Sequence, residues 1–182
     1  MVMINENKFG SKAQSINDIA ERLAAVDWYK KAGLKEKSAE ETLQRFLQAL
    51  EVNEYEIKWV TKEQVSEVIE KMTFDNSKLW EVLSELPEQL KKKIDETGQA
   101  DLLEEAVETV PHAVFHDVFQ KAFQEFGEEK TVSFLVGHAM YVAVLVCTAE
   151  LADKAELFTP LLELLEAGHV PLGLEGNTIY LL

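Results

Sequence analysis

The chain has 182 residues, 47% of them hydrophobic and 28% charged, and a formal net charge of −15 at pH 7. That composition excludes a disordered chain, and the length suits one domain rather than two, since about 150 residues already bury roughly 70% of their unfolded surface. Residues 1–94 hold 17 Asp and Glu against 15 Lys and Arg, a balance of −2, whereas residues 95–182 hold 16 against 3, a balance of −13, and the two sum to −15. A field of this sign repels nucleic acid and anionic membranes and favours a basic protein partner; it also keeps a protein soluble with no partner at all.

Residues 1–14 are expected to form a flexible N-terminal segment ahead of a globular domain over 15–182, and they lack the basic start and apolar core of a secretory signal. The first helix is predicted from Ser15, three before Asp18, through Ile16, Ile19, Leu23 and Val26 to a stop at Gly33. Ser38 and Glu41 have the same capping spacing and announce a second helix with Leu43, Phe46, Leu47 and Leu50 on one face, expected to pair with the first as a hairpin. Tyr55, Ile57 and Trp59 alternate with Glu56 and Lys58, so a short strand or a loop is open there.

Thr61 and Gln64 cap a helix through Val65, Val68, Ile69 and Met72, and Asn76 or Ser77 starts another through Leu79, Trp80 and Leu83. Pro87 suits the first turn of a further helix ending near Gly98. Asp101 to Val110 reads as a short helix, and Pro111 opens a separate one that stops at Gly127. The apolar run Val132 to Cys147 is 16 residues long, below the roughly 20 of a membrane span, and reads as a buried core helix. Thr159 and Pro160 start the last helix, and Val170–Leu174 and Thr178–Leu182 form a hairpin around Glu175, Gly176 and Asn177. The predicted fold is mainly α: a single-domain bundle of about seven to nine helices with a small C-terminal β-hairpin and room for one more short strand.

His112 and His116 stand four apart on one helix and can present two imidazoles to a metal ion, although Ala113 occupies the place where a zinc protease carries Glu. With His112 at zero on a helical wheel, Phe115, Phe119, Phe123 and Phe126 fall within about 60° and His116 near 40°. Both histidines are therefore expected to point with the aromatic stripe toward the core or a pocket, as hydrogen-bonded core histidines or as metal ligands. Glu104 and Glu108 continue their spacing only if the helix survives Pro111.

On the core helix His138 adjoins Gly137, whose face also carries Ser133, Tyr141, Val144 and Thr148. Gly137 invites close approach of another helix; the alternative is a ligand pocket at His138, Tyr141 and Ser133. His169 suits a capping role at the end of the last helix. Cys147 reads as a packed core thiol, and a lone cysteine excludes an intramolecular disulfide.

No phosphate-loop, dinucleotide, nucleophile-elbow or zinc-protease motif occurs, so no catalytic residue and no cofactor are assigned, and a non-enzymatic role is expected. The sequence points first to a soluble, cytoplasmic interaction protein of inhibitor, immunity or regulatory type, whose acidic half docks a basic partner, with self-association open and nucleic acid and membrane excluded. The alternative is a helical metal- or small-ligand-binding protein or enzyme with a pocket at His112, His116 and His138.

Overall fold

In the computed structural model, which describes residues 3–72 and 78–182, eight α-helices carry a three-stranded sheet. The helices are α1 (Glu6–Phe9), α2 (Ser11–Ala25), α3 (Lys37–Ala49), α4 (Val65–Lys71), α5 (Lys78–Glu96), α6 (Ala100–Phe126), α7 (Glu129–Leu151) and α8 (Thr159–Glu166). The strands are β1 (Glu56–Trp59), β2 (Pro171–Glu175) and β3 (Thr178–Leu181). The mainly α bundle with its C-terminal hairpin is thus the architecture the sequence predicts, and Tyr55 to Val60 supplies the further strand. The sheet order is β1-β3-β2: β2 and β3 form the hairpin, with an irregularity between Pro171 and Gly173, and β1 joins β3 in parallel with Trp59 opposite Leu181.

The longest apolar helix is the axis of the molecule. α2, α4, α5 and α6 all pack on α7, while α8 lies against α3 and α2. α7 is long and apolar enough to cross a membrane, and in this fold thirteen of its residues are buried among the other helices. α6 and α7 form a helical hairpin joined through Gly127, whose left-handed backbone (φ 67°) ends α6.

Several local expectations are corrected. α6 is one helix of 27 residues that runs straight through Pro111, and α5 likewise contains Pro87 in its interior. A proline removes one backbone hydrogen bond, and here burial of Val114, Val118 and Ala122 beyond Pro111, and of Leu90 and Ile94 beyond Pro87, keeps each helix going. α2 starts at Ser11 and ends at Ala25, so Ser15 is interior and Gln14 bonds Asp18 there; α3 follows Glu36 with no side-chain cap. These two helices do not pair as a hairpin: α3 packs on α8, and the connection between α2 and α3 drives Trp28 and Tyr29 inward. Tyr29 donates to the Leu135 carbonyl of α7 at 3.2 Å and meets Phe126 edge-on. Within residues 1–14, Ile4 is buried, with its N–H and C=O both bonded to the Asn17 amide. The capping box at Thr61 and Gln64 is formed as predicted; the helix start expected at Asn76 or Ser77 and the side chains of Leu79 and Trp80 lie outside what is described.

The largest correction concerns which face of α6 is inside. Its buried residues are Leu102, Ala106, Val110, Val114, Val118 and Ala122, one every fourth position, whereas Phe115, Phe119 and Phe123 are 46%, 43% and 56% exposed and stack on one another along the outside. Small side chains let the α6 axis approach its neighbours closely, so the Ala and Val stripe takes the core and the bulkier rings stay out. Ala106→Leu should therefore destabilise by about 1–3 kcal/mol through overpacking, while Phe119→Ser should stay within about 1 kcal/mol. Denaturant midpoints of the two variants test that order; a larger loss in Phe119→Ser would put the aromatic face inside.

Candidate functional site

Between the α7 axis and the elements facing it lies a cavity of about 700 Å³. Leu43, Phe46 and Leu47 of α3 form one wall, with Leu161 of α8 beside them. Ile69 of α4, Met72 and Leu83 of α5 form a second, and the hairpin contributes Pro171 to Leu174 and Ile179. The remaining wall is α7 itself, through Ser133, Phe134, Gly137, His138, Tyr141, Val142 and Leu145. None of these nineteen residues is acidic, Lys or Arg, and only Ser133, His138 and Tyr141 bring polar side-chain atoms.

The local sequence explains why α7 leaves space here. A Cβ built on Gly137 meets no heavy atom within 4 Å, so no helix approaches it and the close-packing expectation is corrected. The glycine opens a gap along the Ser133–Gly137–Tyr141 strip, where Ser133 is exposed and Tyr141 is 44% exposed. At the opposite wall, Gly173 (φ 150°) lets the Met72 thioether sit where a Cβ would lie 2.8 Å away.

His138 is the most informative polar group in this wall. Its ring stacks on Phe134 with centroids 6.2 Å apart and planes 3° from parallel. Its polar neighbour is the backbone carbonyl of Pro171, while Nε2 is buried with no hydrogen-bond partner. Burial pushes its pKa down to about 4, against a smaller opposing pull from the Pro171 carbonyl, so the imidazole is neutral at pH 7. Burial also pushes Tyr141 upward, leaving a protonated phenol.

The other sequence candidates lie elsewhere. His112 and His116 are both exposed on the outer face of α6 with the phenylalanines, and neither lines the cavity, which corrects the inward-facing expectation and the three-histidine pocket. Because α6 is continuous, Glu104, Glu108, His112 and His116 do share one exposed stripe, yet among the described residues no three His, Cys, Asp or Glu converge on a common point. A stripe running along a helix separates its members by about 6 Å per step and needs a second element to close a coordination sphere. His169, at the end of the last helix, is fully buried, 3.3 Å from Glu36 and edge-on to Trp59. Cys147 is buried and its thiol is pushed up to about 12 by desolvation, with Glu150 adding to the shift.

Two measurements check these assignments. Because the folded His138 takes up its proton only near pH 4 whereas an unfolded histidine does so near 6.5, the unfolded chain binds more protons between those values and stability falls as pH is lowered through that window. Going from pH 7 to 5 should cost about 2 kcal/mol through this residue, and His138→Phe should remove most of that slope. Replacing both His112 and His116 by Ala, by contrast, should shift stability by less than about 0.5 kcal/mol, read from the same denaturation curves.

Comparison with known protein families, with curated proteins and with solved structures finds no match for the chain, so the reading of this site rests on its geometry.

Proposed function

We propose that this protein binds a predominantly apolar small molecule in the cavity beside α7. The observation that supports the reading is the cavity itself: about 700 Å³, within the range of small-molecule sites at roughly 300–1,000 Å³, with apolar walls from five helices and the hairpin and a few polar atoms grouped on one side. Grouped polar atoms in an apolar chamber orient a ligand, whereas a space left by imperfect packing has no reason to carry them. The role is storage, transport or sensing of such a molecule; among the described residues no pair of groups in the wall resembles an acid–base couple or an activated nucleophile.

Docking of a basic partner on the acidic half has less support. First-half cations already pair with second-half acids at Lys8–Glu105, Lys12–Asp153, Arg22–Glu166, Arg45–Glu163 and Lys62–Glu125. Part of the charge that would draw a partner is therefore matched within the fold.

The test uses Gly137, where a large side chain enters the cavity without meeting its walls at the Cβ. Nile red, an uncharged dye that brightens in apolar surroundings, should bind the native protein, and Gly137→Phe should weaken that binding at least about tenfold with an unchanged or raised denaturation midpoint. Equal dye binding by both proteins would place the dye outside the cavity and remove the basis of the proposal.

A further inference from the structure

Along α6, Val107, Phe115, Phe119 and Phe123 are exposed and stand at multiples of four residues from one another, with the half-buried Pro111 completing the row. That spacing makes a continuous ridge on a helix. Phe119 stacks on Phe115 and on Phe123, with centroids 6.0 and 6.2 Å apart and planes 18° and 17° from parallel, so the three rings hold one another in place before anything covers them. Less side-chain freedom is then lost on docking.

The charge around the ridge is as informative as its apolarity. On its outer side stand His112, His116, Gln120 and Gln124, all exposed, and on its inner side the buried Val114, Val118 and Ala122. Asp117, Lys121 and Glu125 form the row on the opposite flank of α6, where Lys121 bonds the Val26 carbonyl and Asp27, and Glu125 pairs with Lys62. Glu104 and Glu108 border the start of the ridge, about 16–23 Å along the helix from Phe119, beyond the Debye length of roughly 8 Å at physiological salt.

This pattern selects the occupant. A chain of net charge −15 repels its own copies at most faces, and a stretch free of Asp, Glu, Lys and Arg is where two copies can meet. Such a stretch also gives a foreign protein no charge to recognise, whereas a two-fold axis requires only that the patch fit itself. We propose that two copies of this chain pair across a two-fold axis beside Phe119, the ridge of each α6 lying in the groove next to the ridge of the other. Ridges of this spacing interdigitate at a crossing angle of about −50°, which concentrates contact in the few turns around the crossing point, here Phe115 to Phe123.

The three rings, each about half exposed, offer roughly 300 Å² of apolar surface, and the four polar side chains beside them extend the face to roughly 600 Å² per copy. Together the two copies reach the lower end of specific interfaces, about 1,200 Å², so the dimer is a weak one with a dissociation constant of roughly 10–100 μM.

Sedimentation of the native chain over a concentration series should show the mass rising from one chain toward two across that range. Phe119→Ser should weaken pairing at least about tenfold, with its denaturation midpoint confirming that the fold is kept. Gln120→Lys and Gln120→Glu place like charges beside the axis, so each alone should pair less tightly than the native chain and an equimolar mixture should recover the loss. Raising salt from about 20 mM to about 500 mM should tighten the native dimer about two- to fivefold, because screening relieves the repulsion between two acidic chains. A chain that stays monomeric to about 1 mM would leave the ridge to a different partner and overturn the proposal. A dimer that Phe119→Ser leaves unchanged, that salt loosens, or whose Gln120 variants gain nothing on mixing would overturn it as well, by placing the contact elsewhere.

Discussion

The close packing of α6 on α7 sets the geometry that the other elements accept. Two helices of 27 and 23 residues, joined through a left-handed glycine, can share a long contact only if one of them presents small side chains along its whole length. α6 does so with Ala106, Val110, Val114, Val118 and Ala122, and α7 answers with its own buried stripe of Leu, Val and Ala. α2 leans on the same pair, and the Tyr29 hydroxyl ties the connection after α2 to the Leu135 carbonyl of α7. With these sides of α7 covered, the side bearing Ser133, Gly137 and Tyr141 is left to face α3, α8 and the sheet. α3 packs on α8, and α8 on α2, rather than on α7, which is how they can stand off from the axis and border a space.

This dependence explains which features were legible in the sequence. Elements with a local signature were read well: the capping box at Thr61 and Gln64, the Gly127 stop, the start of the last helix at Thr159 and Pro160, and the hairpin with its turn at Gly176 and Asn177. What failed was set by tertiary contacts. α6 carries two neighbouring apolar stripes, one of small and one of aromatic residues, and hydrophobicity ranks the aromatic one first. The choice between them is made by the distance at which α7 can be approached, which periodicity does not encode. The two prolines were read as boundaries for a similar reason, because local propensity argues for a break while packing on the far side decides against it.

The candidate site was half legible for a comparable reason. Ser133, His138 and Tyr141 stood out because a polar strip on an otherwise apolar helix needs an explanation, and one helix suffices to see it. Whether Gly137 served close packing or open space depended on what stands opposite, and that is contributed by α3, α8 and residues 171–174. The charge split has a similar resolution. Read along the chain, the second half is an acidic surface awaiting a partner; in the fold, five of its acids face cations of the first half, and Lys121 and Lys130 return the pairing to Asp27 and Glu70. Each such pair is exposed and adds little stability. Together they show that the asymmetry is partly a match between two halves of one molecule.

The strongest argument that the space beside α7 serves binding is that the sequence leaves it unfilled where filling would be easy. Gly137 lies in the interior of a helix at a position without positive φ, where alanine would favour the helix by roughly 0.5–1 kcal/mol, and no atom stands within 4 Å to obstruct it. One helical step away, His138 holds an uncharged imidazole in surroundings that an aliphatic side chain would suit better, with its Nε2 buried and without a hydrogen-bond partner. Either feature alone lowers stability a little. Adjacent on one wall of one apolar chamber, both depart from the rules of stable packing, and local departures of that kind are expected where a fold gives up stability for function.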